Sequence, residues 1–238
     1  MSENNITILA SDFTYPTKEE LIKVYETTPS ISNFGFKQDE NSSPFSQDLN
    51  LVQEYKSHNL PYWDGVLLNK NGAFRQSYYR AIVNYMRGVP DDVGIFEHKD
   101  YVNRMQFDYY AEAFYYYFSS IKDTIGQIIN IYYVLRIPDT EFYFNWKLLK
   151  QIPDPAVVEL IKSFFKATEV ANDYRNSFAH RTPINHPDTR IIVEWETSSI
   201  IYPSTRDSYE KSSMIKANME QTIDAVAKFL NDLKPLLR

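Results

Sequence analysis

The chain has 238 residues, 43% of them hydrophobic and 16% aromatic, enough apolar material for one large core, and carries a formal net charge of −6. It contains no cysteine, which excludes disulfides, thiolate metal sites and a cysteine nucleophile. The acidic balance argues against broad nonspecific affinity for nucleic acid, which depends on phosphate neutralisation by many cations.

At the N-terminus, Met1 to Asn5 is polar and the apolar run Ile6 to Ala10 is too short for a signal peptide. The aromatic stretch 113–121 is bounded by Glu112 and Lys122 and falls below the length that spans a bilayer, so a cytoplasmic protein without membrane contact is expected. Thr17-Lys18-Glu19-Glu20 has capping-box spacing and predicts a helix over 17–27. Residues 27–48, rich in Ser, Asn, Pro and Gly, read as loop. A helix capped by Ser46 is expected to end near His58. Asn69-Lys70-Asn71-Gly72 reads as a turn, and a further helix should run from Phe74 to Gly88-Val89-Pro90.

The longest periodic segment covers about 99–136, with Tyr110, Phe114, Tyr117, Phe118, Ile121, Ile125, Ile128, Ile129, Tyr132 and Tyr133 on a helical stripe. At the standard rise per residue it would be roughly 57 Å long, more than one small domain covers. Either Gly126 bends it, or its flank of Tyr109, Tyr115 and Tyr116 packs on another subunit or on the N-terminal half. Residues 142–149 read as a short helix, and Asp154-Pro155 opens a long one, proline being well suited to the first turn. Alternation of Ile191, Val193 and Trp195, followed by Ile200, Ile201 and Tyr202, predicts a β-hairpin. A final helix over 207–237 carries Ile215, Met219, Ile223, Val226, Leu230, Leu233 and Leu237 on one face. The chain divides into two regions: 1–97, an N-terminal helical extension packed on the core, and 98–238.

The helix opened by Pro155 ends in the most chemically distinctive stretch. Val157, Ile161, Phe164, Thr168 and Ala171 recur at spacings of three and four, and continuing them puts Arg175 and Phe178 on the inward face. A guanidinium there must reach water, a carboxylate or a bound anion. Asn176 and His180 share a second face. Arg175 and His180, five apart, stand about 140° apart around an ideal helix. To serve one ligand, the helix must bend or end here, or a second copy must complete the site.

Residues 171–190 hold Arg175, Arg181, Arg190, His180 and His186 against Asp173 and Asp188. That excess suits one phosphate or a short strand, and equally a solvated helix end where cations offset the dipole. His186 and Asp188 fit no zinc spacing with His180, and His58 and His98 read as helix-boundary hydrogen-bonding residues. The six glycines form no phosphate loop, and neither G-x-S-x-G nor H-E-x-x-H occurs. No metal and no cofactor is expected.

Arg175-Asn176-Ser177-Phe178-Ala179-His180 resembles the R-x4-H signature of the HEPN superfamily, small helical domains that mostly act as metal-independent ribonucleases or as their inactive relatives. The resemblance covers about 98–238 and implies an all-α, HEPN-like helical bundle, with the β-hairpin before the last helix. It also implies a metal-independent endoribonuclease with Arg175, Asn176 and His180 as catalytic residues in a composite homodimer site, as in a toxin or defence system; Arg181 is read as a substrate contact. The alternative is a noncatalytic HEPN-like module that binds RNA or a protein such as an antitoxin, which the acidic net charge favours.

Overall fold

The computed structural model describes residues 7–37, 50–92, 95–186, 190–201 and 209–237. Two long helices, α2 (Leu51–Met86) and α3 (His98–Tyr132), form its spine. Tyr85 meets Phe107, Arg80 meets Tyr110, Phe74 meets Phe114 and Lys70 meets Tyr117, so the two run antiparallel. Leu60, Asp64, Leu67, Asn71, Phe74, Tyr78 and Ile82, spaced by three or four, are all buried on α2.

That stripe runs without a break through the Asn69–Gly72 turn signal, and α2 is one helix where two were expected. Asn71 is only 3% exposed, so the Asn-Gly turn preference yields to a continuous seam against α3. The helix also contains Pro61, whose missing N–H leaves the Ser57 carbonyl without its usual helical donor. Asn50 caps it, its Oδ1 accepting from Val52 N and Gln53 N, while the expected cap Ser46 lies outside the described residues.

The bounds of α3 fall close to those expected. At 36 and 35 residues the two helices match in length, so the length of α3 is satisfied within one chain and is no argument for a second subunit. Gly126 does not interrupt it. The absent Cβ instead admits the rings of Phe142 and Phe144, with atoms 2.6 and 3.0 Å from where a Cβ would stand. Tyr115, expected on an outward flank, is fully buried inside the chain, whereas Tyr109 and Tyr116 face solvent.

Helix α1 (Lys18–Thr27) carries the predicted capping box between Thr17 and Glu20. The N-terminal segment is tied to α2 twice. Asp64 accepts from the backbone N–H of Phe34, Gly35 and Phe36 and from Asn33 Nδ2 at 2.7–3.2 Å, and Arg87 reaches Glu20 and the carbonyls of Thr14 and Tyr15.

Of the helix expected over 142–149, only α4 (Trp146–Leu149) forms, because Phe142 and Phe144 turn in toward Gly126 and Asn145 caps the single turn beyond them. The long helix expected through 154–180 is two, α5 (Pro155–Ala167) and α6 (Glu169–His180), meeting at Thr168 with φ −115° and ψ 17°. The hairpin forms as β1 (Ile192–Glu194) and β2 (Ser199–Ile201), antiparallel with Val193 opposite Ile200. The last helix is α7 (Ser212–Leu233); its expected start at 207 lies outside the described residues. The stacking of Phe164 on Phe229, centroids 4.2 Å apart, ties α5 to α7. The architecture is thus all-α with one small two-stranded sheet before the last helix.

Candidate functional site

Helix α6 is held against α3 and α7 by Ala171, Tyr174 and Ser177, all buried. The helix breaks at Thr168, whose Oγ1 donates to the Phe164 carbonyl at 2.8 Å; Ala171 beyond it is still buried, and the inward positions then go on by threes, at Tyr174 and Ser177. Tyr174 therefore takes the seat that unbroken spacing assigns to Arg175, and Arg175 lies half-buried on the flank. Sequence reasoning missed what Tyr115 does here. Its ring stacks on Phe178 (5.8 Å) and meets Tyr174 edge-on (5.6 Å), while its hydroxyl donates to Asn218 Oδ1 at 2.8 Å on α7. Burial holds that hydroxyl well above its ordinary pKa, so it stays a donor. The phase of Tyr115 in the α3 stripe, four positions after Ala111 and three before Phe118, was the available signal.

The four candidate site residues come together at the end of α6. Arg175 Nη1 lies 3.1 Å from His180 Nε2 and donates to Asn176 Oδ1 at 3.1 Å. The 140° between Arg175 and His180 on the helix is spanned by the length of the arginine side chain, so neither a bend nor a second copy is needed to join them. His180 is exposed, and the chain turns immediately after it, with Ser177 Oγ donating to the Thr182 carbonyl at 2.6 Å. Among the described residues neither Arg175 nor His180 has a carboxylate in ion-pairing range. Arg181 and His180 line the same open cleft of ≈ 740 Å³, together with Arg190, Thr182 and Tyr174. Burial, with Glu210 nearby, pushes the Tyr174 hydroxyl up to about 12.

The other histidines lie elsewhere. His58 is inside α2, 3.4 Å from Glu54, and not at a helix boundary. His98 opens α3 and contacts the Thr7 carbonyl at 3.1 Å and Asp12 at 3.2 Å. His186 is exposed in the loop after α6, and Asp188 lies outside the described residues. Among the described residues no helix is long and apolar enough to cross a membrane.

An arginine paired with a histidine at a helix end, beside a cleft lined by Arg181, Arg190 and Asp173, has the donors to hold an anion. The family model for Cthe2314-like HEPN domains matches residues 63–234, and the chain belongs to this HEPN family. The match begins inside α2, well before residue 98, and runs to the end of α7. HEPN membership gives the chain a nuclease-like or RNA-related role. Neither the curated proteins nor the solved structures yield a match.

Proposed function

We propose that the protein is a metal-independent endoribonuclease whose catalytic residues are Arg175, Asn176 and His180, with Arg181 as a substrate contact. The observation that carries this reading is the Arg175–His180 contact at 3.1 Å, in which, among the described residues, no carboxylate engages either side chain. A guanidinium only donates, so in that contact His180 Nε2 takes the acceptor's part. In a homodimer with two motifs facing one phosphodiester, one His180 withdraws the proton from the ribose 2′-hydroxyl. The 2′-oxygen attacks phosphorus, and His180 of the second protomer, protonated, gives its proton to the departing 5′-oxygen. Arg175 offsets the charge that grows on the phosphate oxygens. Asn176 fixes Arg175 through its Oδ1 and keeps its amide N–H groups for the phosphate.

The test is cleavage of single-stranded RNA by the purified protein in the presence of a chelator. Expected products carry a 2′,3′-cyclic phosphate and a 5′-hydroxyl, and DNA is inert because it lacks the nucleophile. His180→Ala lowers the rate by about 10²–10⁴-fold while the circular dichroism spectrum stays helical. Metal-dependent cutting, or full activity of the His180→Ala protein, overturns the mechanism.

A second reading is a noncatalytic HEPN module docked to a regulatory protein, as in a toxin–antitoxin or other defence pair. It is favoured by the hairpin, where Trp195 is 86% exposed, and by the net charge of −6. Stable absence of cutting on diverse RNAs, with a protein captured through Trp195 and lost in Trp195→Ser, would decide for it.

A further inference from the structure

Asp173 lines two cavities. One is the His180 cleft; the other, of ≈ 580 Å³, lies between α3, α4, α5 and α6. Asn172 on its wall and Arg175 and Asn176 at the motif are three and four positions apart, and so lie one helical turn from each other on the same side of α6. The second cavity therefore lies within one helical turn of Arg175 and Asn176 and shares Asp173 with the His180 cleft.

Its chemistry is unusual in two respects. The Lys122 ammonium reaches into it over the rings of Phe118 (5.2 Å) and Phe165 (5.8 Å) and donates to Asn172 Oδ1, a neutral acceptor. Among the described residues no carboxylate forms an ion pair with it. A cation placed against aromatic walls with a neutral partner is poorly compensated, and burial, together with the positive charge of Arg175, draws its pKa down to about 8 despite neighbouring Asp123. The second respect is Trp146. Its ring touches Phe165 edge-on at 5.1 Å yet remains 59% exposed, a flat apolar surface at the mouth of the pocket. Glu169 and Asp173 also line the cavity and Lys162 is paired with Glu159 at 2.6 Å, whereas among the described residues no ion pair engages Lys122 or Lys166.

A cation outside any ion pair among the described residues, beside an open aromatic face, suits a phosphate joined to a base, the combination used along single-stranded nucleic acid. We propose that this pocket is the subsite for the nucleotide adjoining the one held at Arg175 and His180, with its phosphate on Lys122 and Lys166 and its base on Trp146. The assignment rests on the ribonuclease reading and specifies the substrate as single-stranded RNA that reaches past the scissile phosphate onto α4.

The experiment uses the full-length His180→Ala protein, which holds RNA without cutting it, and a labelled twelve-nucleotide single-stranded RNA followed by fluorescence anisotropy. Adding Trp146→Ala is expected to weaken binding about 10-fold, the loss of one stacked base. Lys122→Met should weaken it by a similar factor and Lys166→Met about 3-fold. Trp146 and Lys166 are exposed, so their variants keep the fold even if Lys122→Met does not. Affinities of the Trp146→Ala and Lys166→Met proteins within twofold of the parent overturn the subsite while leaving the ribonuclease reading in place. A parent that binds no RNA overturns both.

Discussion

Arg175 Nη1 approaches His180 Nε2 to 3.1 Å across five positions of one helix, and the arginine's other partner is the neutral Asn176 Oδ1. An arginine that held the fold together would be expected to face a carboxylate. This one faces a titratable base and an amide, and Lys122 and Asp123 are the charges that feel it from α3.

Arg175→Met should therefore cost little stability. The two hydrogen bonds it removes contribute about 0.5–1.5 kcal/mol each at most, and the loss of a half-buried cation near Lys122 offsets part of this. The expected melting temperature lies within about 3 °C of the parent, while RNA cleavage falls by at least ~100-fold. A drop of several degrees would identify Arg175 as a structural residue.

Asp64 is the contrasting case. It is 2% exposed and is the acceptor for three consecutive backbone N–H groups at Phe34, Gly35 and Phe36. Asp64→Ala strips those donors of their partner inside the protein and should destabilise it by about 3 kcal/mol, read as a lower urea midpoint at unchanged m-value. Activity per folded molecule should stay the same, because the loop lies away from α6.

Glycines on the two long helices should respond oppositely to alanine. Gly126→Ala would push a methyl into Phe142 and Phe144, and the strain outweighs the better helix propensity, giving a net loss of about 1–2 kcal/mol. A Cβ at Gly65 or Gly72 meets nothing within 4 Å, so either substitution in α2 should raise stability by about 0.5–1 kcal/mol. Thermal unfolding of the three variants side by side decides the matter; a stabilised Gly126→Ala protein would contradict the close approach of the rings.

Stability should also fall in acid through Glu20. The hydrogen bonds from Arg87 hold its carboxyl at about 2, below its ordinary 4.5. A group whose folded pKa is depressed contributes above its unfolded value, and that contribution is lost as pH falls from about 4.5 toward 2. Both side chains are partly exposed, which limits the contribution to about 1 kcal/mol. In Arg87→Met the pH dependence across this window should flatten by that amount; an unchanged profile would mean that the clamp does not form in solution.

Much of this molecule was legible in local patterns. The capping box at Thr17, the stripe of α3, the hairpin alternation around Val193 and Ile200, and the Arg175-to-His180 signature each depend on residues close in sequence, and each set the element or family it pointed to. What neighbours across the fold decide was not legible. The Asn69–Gly72 signal was overridden because Asn71 lies on the buried stripe of α2, and one expected helix became two at Thr168, where φ −115° and ψ 17° leave the helical range. Phe142 and Phe144 left the helix expected over 142–149 because Gly126, some sixteen residues earlier, opened a space for their rings. The sequence by itself determined which chemical groups this protein carries and that helices would present them. Only the tertiary structure decided that Arg175 turns aside from the core to meet His180, because the seat it would have taken is filled by Tyr174 packed edge-on against Tyr115, and a ring that buries apolar surface competes better for an inward position than a guanidinium that must stay charged.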